Sequence, residues 1–147
     1  MAQPFSVYDS ARRALIPFQP VKPGHVGIYV CGMTVYDDAH IGHARAFVLF
    51  DVITRYLRHR GWRVTLVRNF TDIDDKIIRR AARTGEEPLA LADRYVTSFR
   101  EDADALGLLP PDVEPRVTGH IDDIIALIQT LVDRGHAYAS GGSVWFS

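Results

Sequence analysis

Residues 29–43 read YVCGMTVYDDAHIGH and hold the single cysteine of the chain, Cys31, together with two histidines, His40 and His43. A thiolate is a soft metal ligand or a nucleophile, and imidazoles bind metals or donate hydrogen bonds to phosphates. Three readings therefore compete for this stretch: a metal site, a nucleotide site, or ordinary packing. A zinc site needs about four ligands, commonly Cys and His. No C-x-x-C or H-x-x-x-H pair accompanies Cys31, and nothing in the sequence fixes a base beside it. Taken alone, a cysteine at the end of a buried strand is usually a small hydrophobe.

The histidines have a different context. If a strand ends near Cys31 and a helix starts near His40 or Ile41, both lie where open α/β sheets bind ligands, at strand carboxyl ends facing helix N-termini. Gly42 has no Cβ, so backbone or a flat ring can approach closely. His40 and His43 in the first turn could donate to a phosphate and stabilise charge developing there. The plain alternative is a pair of capping or surface histidines.

A second segment, RNFTDIDDKIIRRA from Arg68, offers Asn69 and Thr71 at the end of another strand, on the same sheet edge as Cys31. Asp72, Asp74 and Asp75 could bind Mg²⁺, but acids in a first helical turn also cap and favour the helix dipole, which is the preferred reading. The basic run with Arg83 could face phosphates or simply be a solvated face. His120 fits a cap, a core position or a ligand. His25, His59 and His136 carry no functional hint.

The elements that must position these residues follow from periodicity. Residues 5–22 predict a short strand, a turn and another extended piece, with Pro17, Pro20 and Pro23 blocking helix. Residues 26–31 form a compact β-branched run and predict a buried strand. Ile41, Ala44, Val48, Val52 and Tyr56 recur at helical spacing until Gly61. Residues 62–70 predict a second strand, completing a parallel βαβ unit. Helices are expected from Asp74 to Arg83, with Thr71 or Asp72 as N-cap, and from Glu87-Pro88 to Leu106. A proline-rich connection leads to a last amphipathic helix, Thr118 to Arg134, with Ile121, Ile124, Ile125, Ile128 and Val132 on one side. A Gly-Gly hairpin between Tyr138 and Trp145 closes the chain. Its Val144, Trp145 and Phe146 need burial, so this end is expected to be cut or completed by another chain.

The 147 residues suit one domain. A net charge of −1 excludes a general basic field for nucleic acid, although one basic face would not show in the total. One cysteine excludes an internal disulfide. The first residues lack the apolar core of a secretion signal, and no window approaches the ~20 apolar residues that span a membrane. A cytoplasmic protein without membrane contact is the simplest expectation.

Both quoted segments, and the chain as a whole through EPRVTGHI and GHAY, closely resemble the cysteinyl-tRNA synthetases, a family of class I aminoacyl-tRNA synthetases. His40-Ile41-Gly42-His43 matches the HIGH signature of that class, and the preceding strand-end cysteine with T-D-I-D-D-K downstream is more specific. The resemblance implies an α/β fold: the first half of a class I synthetase Rossmann-like nucleotide-binding domain with a parallel sheet, ending in a β-hairpin. Residues 1–147 would be the amino-terminal half of that catalytic domain. It implies that His40 and His43 are catalytic, contacting ATP and stabilising the α-phosphate as the cysteine carboxylate attacks. His40, Gly42 and His43 would bind ATP with its Mg²⁺. Cys31 would be the first zinc ligand, the others lying downstream, and Gly32, Thr34, Asn69 and Thr71 would line the cysteine and adenylate pocket. Zinc on the substrate thiolate would discriminate cysteine from serine better than shape, which separates near-isosteres only ~10²-fold or less.

L-cysteine, ATP and tRNA(Cys) are the implied partners of the complete enzyme, with a carboxy-terminal fragment as a further one. Departures are the missing KMSKS-like loop and downstream zinc ligands, and Thr118-Gly119-His120 where relatives carry two histidines. The isolated chain is thus expected to be inactive. The related cysteine ligase of mycothiol synthesis is an alternative, but Val35 and Lys76 stand where those ligases carry proline. A truncated paralogue acting as a binding module is the third reading.

Overall fold

The computed structural model describes residues 5–147; the first residues of the stretch searched for a secretion signal lie outside them. In order they form β1 (Ser6–Asp9), β2 (Ala14–Pro17), β3 (His25–Val30), α1 (Ile41–His59), β4 (Arg63–Arg68), α2 (Asp75–Thr84), α3 (Pro88–Ala105), a 3₁₀ turn (Val117–His120), α4 (Ile121–Asp133), β5 (Ala137–Ser140) and β6 (Ser143–Phe146). β1–β2 and β5–β6 are antiparallel hairpins. In the second, Gly141 and Gly142 both take positive φ, 59° and 79°, as a tight turn matching strand twist requires.

β3 and β4 pair in parallel, joined through α1 as the βαβ pattern requires. A third extended run, 112–117, lies on the other side of β4, with Val67 opposite Val113 and Phe70 opposite Arg116 in parallel sense. Arg68 N–H donates to the Val113 carbonyl at 3.1 Å and Phe70 N–H to Pro115 at 2.9 Å. The proline-rich connection is thus partly a strand, its prolines falling where no ladder donor is needed.

One face of this sheet carries the core. Val30, Leu66 and Phe70 meet Phe47 of α1, Ile77 and Ala81 of α2, and Leu91, Tyr95, Val96 and Phe99 of α3. Phe99 packs edge-on to both Phe47 and Phe70, at 5.2 and 5.4 Å. Full burial of such side chains stabilises by roughly 1.5–3 kcal/mol each. Arg68 is also buried, and Glu114 accepts from it at 2.7 Å and from Arg100 at 2.6 Å. The Arg68 guanidinium lies over the rings of Phe47 and Phe99, at 5.4 and 4.7 Å, where cation–π attraction offsets desolvation. A smaller cluster of Val26, Leu57 and Val64, with Phe5, Phe18 and Trp62, ties the first hairpin to the sheet.

Two expectations need correction, and two apolar stripes lie away from the core. The N-cap of α2 is Asp74, whose carboxylate accepts from Lys76 N–H at 2.8 Å, not Thr71 or Asp72. Thr71 is still in the sheet, exchanging backbone hydrogen bonds with Met33 and Val35, and Asp72 is buried and engaged elsewhere. The last helix starts at Ile121, because Thr118 is held by Asp72 and the chain makes a 3₁₀ turn first. The buried side of α1 is Phe47, Thr54 and Leu57, while Ile41, Val48, Val52 and Tyr56 are exposed. Finally, the isoleucine stripe of α4 buries no residue. Periodicity finds an apolar face but not whether these 147 residues cover it.

Candidate active site

The sheet's other face is open, and the sequence-predicted residues gather at its carboxyl end. Arg68, Phe70 and Asp72 are buried on the core side, so Asn69 and Thr71 alternate to the open side. Val30, Met33 and Val35 are likewise buried, leaving Cys31 exposed and Thr34 half-buried opposite Thr71. Gly32 N–H donates to Asn69 Oδ1 at 2.8 Å. A Cβ at Gly32 would lie 1.5 Å from the Asn69 carbonyl oxygen, so only glycine fits. Cys31, Gly32, Thr34, Asn69 and Thr71 therefore form one strip across two strand ends. Beside it, Tyr29, Asn69, Val113, Arg116, His120 and Ile124 line a cavity of about 380 Å³.

The histidines sit at the start of α1. His40 is the N-cap, its Nδ1 accepting from Gly42 N–H at 3.1 Å; His43 Nδ1 accepts from His40 N–H at 3.2 Å. This is a capping box built from two imidazoles, stacked with ring centroids 3.9 Å apart. A backbone N–H only donates, so both Nδ1 atoms are unprotonated and both protons sit on Nε2. Two N–H donors are thus left for a ligand. Gly42 leaves room for the His40 ring in its capping position: a Cβ there would meet His40 Cε1 at 2.8 Å and displace the ring. No acid lies in the first turn itself, so the positive end of the helix dipole favours an anion there. Burial, and then the neighbouring His40, push the His43 imidazole below its ordinary pKa, favouring the neutral form this geometry needs.

Residues that sequence reasoning missed hold the intervening loop. Ser98 of α3 donates to Asp38 at 2.8 Å, Arg80 of α2 reaches Asp37 at 3.5 Å, and Lys76 lies over the Tyr36 ring. Asp72 accepts from Thr118 N–H at 3.0 Å and from its hydroxyl at 2.5 Å, fastening the 3₁₀ turn to the strand end. Ser98 has no sequence signal; Asp72 has one, but capping is the reading its position favours. The aspartates are divided: Asp72 clamps, Asp74 caps, and Asp75 pairs with Arg79 on the surface. His120 Nδ1 is 2.9 Å from Asp123 Oδ2. Among the described residues no three His, Cys, Asp or Glu side chains come together to hold a metal. Cys31 is one exposed thiol on the open face, so it fits a zinc site as a single ligand and does not make one here.

A parallel strand pair with a histidine-capped helix at its carboxyl edge has the layout of an open α/β ligand-binding fold, with the site at strand ends and a helix N-terminus. Residues 17–147 match the profile described as tRNA synthetases class I (C) catalytic domain, and the chain belongs to that family. It is 61% identical over 142 residues to a cysteine–tRNA ligase of Alkalilimnicola ehrlichii, covering 96% of this chain and 31% of the relative. A cysteine–tRNA ligase of Thioalkalivibrio sulfidiphilus is 56% identical over the same share of each chain. The chain therefore spans about a third of the length of the curated relatives it matches. The fold is similar to that of Mycobacterium tuberculosis methionyl-tRNA synthetase in complex with methionyl-adenylate, with TM-score 0.69 and 25% identity over 76% of this chain and 23% of that one. No helix among the described residues is long and apolar enough to cross a membrane.

Proposed function

We propose that residues 1–147 are the amino-terminal half of the catalytic nucleotide-binding domain of a cysteine–tRNA ligase. The complete enzyme activates L-cysteine with ATP, forming cysteinyl-adenylate and pyrophosphate, and then passes the cysteinyl group to tRNA(Cys). The observation that carries this reading is the imidazole capping box, whose two Nε2–H donors stand at a helix N-terminus with no acid in its first turn. There, His40 and His43 hydrogen-bond the ATP phosphates and stabilise negative charge on the α-phosphate as the cysteine carboxylate attacks. Gly42 leaves room for the His40 ring, and Mg²⁺ accompanies ATP as substrate.

The strip of Cys31, Gly32, Thr34, Asn69 and Thr71 forms the amino-acid side of the pocket. Cys31 supplies one thiolate toward Zn²⁺, which would bind the substrate sulfur; the remaining ligands come from beyond these residues. The high identity to cysteine–tRNA ligases supports cysteine and tRNA(Cys) as the substrates. The test is cysteine-dependent ATP–pyrophosphate exchange. The full-length enzyme is expected to exchange, and His40→Ala and His43→Ala each to lower kcat by about 10²-fold or more, as loss of a transition-state donor does. The 147-residue chain alone is expected to show none. Exchange that responds to another amino acid and not to cysteine would overturn the reading.

A further inference from the structure

The ladder between β3 and β4 slips by one residue at its functional end. Partners run in constant register from His25 opposite Arg63 to Val30 opposite Arg68, but the next pair is Thr34 opposite Thr71. Three residues, Cys31 to Met33, thus face two, Asn69 and Phe70. This is a bulge in a parallel pair, where bulges are rare.

Its consequence is a change of face. Side chains alternate along a strand, so without an extra residue Cys31 and Thr34 would point to opposite sides. With it, Met33 and Val35 enter the core and Thr34 shares the open side with Cys31. The strip assigned above to the amino-acid pocket exists only because of this slip.

Asn69 is the residue opposite the bulge, and its side chain returns to hold it. Its Oδ1 accepts the Gly32 N–H, which the slipped ladder leaves without a backbone partner, at 2.8 Å. The Asn69 carbonyl occupies the space that a side chain at position 32 would need. We infer that Asn69 is a positioning residue: its amide oxygen locks the Cys31–Met33 bulge and thereby sets Cys31 and Thr34 on one face. This rests on the proposed function only for what that face binds; the lock itself is independent of it.

The experiment compares Asn69→Asp, which keeps an acceptor at the same reach, with Asn69→Leu, which removes it at similar size. Amide hydrogen exchange is read at Gly32, with Thr71 N–H, bonded to the Met33 carbonyl at 3.1 Å, as the neighbouring reference. Loss of one hydrogen bond should speed Gly32 exchange relative to Thr71 by about tenfold in Asn69→Leu, while Asn69→Asp stays near the parent. If Asn69→Leu does not fold, Asn69→Ala gives the same comparison. In the full-length enzyme the Leu or Ala variant should raise KM for cysteine by about tenfold with KM for ATP nearly unchanged.

Unchanged Gly32 exchange in the Leu or Ala variant sinks the lock, and with a raised KM it makes Asn69 a direct substrate contact. An Asp variant as disturbed as the Leu variant also overturns it. Absence of cysteine-dependent exchange in the parent enzyme removes the functional reading and leaves the lock to be judged on Gly32 alone.

Discussion

The strand-to-helix corner at 30–47 and the helix-plus-hairpin at 121–146 are both rich in apolar residues, yet their fates differ. In the corner, Val30, Met33, Val35 and Phe47 are buried against α2 and α3. Two histidines cap its helix start by accepting the N–H groups of His40 and Gly42, and its loop is tied down by Ser98 and Arg80. In α4, Ile124, Ile125, Leu127 and Ile128 are exposed, as are Val144, Trp145 and Phe146 of β6. The corner is complete within these residues and the last region is not. The core that packs the corner therefore takes no residue from α4 or β6.

The comparison breaks first at Gly32. Alanine there would press its Cβ into the Asn69 carbonyl, and the strand ends would have to part. We expect Gly32→Ala to lose about 3 kcal/mol or more of unfolding free energy in urea titration, at the upper end of overpacked substitutions. Gly27→Ala is the control: it lies in the same strand with nothing within 4 Å of a Cβ, and should change stability by less than about 1 kcal/mol. Equal effects at both glycines would mean that the corner is not tightly built.

Next comes the buried charge group that joins β4 to α3. Glu114→Gln leaves Arg68 charged and buried, which costs about 3 kcal/mol when one partner of a buried pair is removed. Burial alone would raise the Glu114 carboxyl, but hydrogen bonds and charge from Arg68 and Arg100 outweigh it and bring it below its usual value. A depressed carboxylate contributes stability that is present above the unfolded-state pKa of about 4.5 and disappears as pH falls through the folded value. The parent should therefore lose stability below pH ~5, and the Gln variant should lose less over that interval. Parallel pH curves for the two proteins would contradict this.

These residues also show what a sequence makes legible. Strands, helices and the parallel pair are written in periods of two and 3.6, and the bounds of α1 and α3 follow within about two residues. The HIGH histidines and Gly42 are legible because a cap and a close approach restrict the residue types. The bulge is not, since one added residue alters the face of Thr34 without changing composition. Nor is the role of Asp72, because a carboxylate ahead of a helix suits a cap as well as a clamp, and the clamp's partner, Thr118, is distant in sequence. α1 has two apolar sides, and only tertiary contact chooses Phe47 and Leu57 over Val48 and Val52.

A smaller effect is expected at the histidine cap. His40→Ala removes the acceptor of Gly42 N–H and should cost about 1 kcal/mol, whereas His40→Asn, a good N-cap, should recover most of that. Neither should restore exchange activity, which separates capping from chemistry. His43 has a lowered folded pKa, so the unfolded state binds the proton more readily. Its contribution is fully present above the unfolded value of 6.5 and fades as pH falls through the lower folded value. Kinetics should follow the same sense: protonation at Nδ1 would turn an acceptor toward a backbone donor, and activity should fall on the acid side. An activity that rises with acid over that interval would assign the phosphate donors to imidazolium forms instead.

The smallest effect is expected where sequence alone would place a large one. Ile125 and Leu127 lie in the most apolar helix of the chain, yet both are more than half exposed. Replacing either by serine removes little buried area, so stability of this chain should change by about 0.5 kcal/mol or less, helix propensity included. Phe99→Ala, in the corner's core, should cost about 3–5 kcal/mol under the same conditions. The ratio of the two measures how far the regions differ. A large loss at Leu127 that grows with protein concentration would show the face to be covered by a second copy in solution, since an association contributes stability by mass action. A large loss independent of concentration would mean that α4 folds back on its own chain, and the contrast between the two regions would be gone.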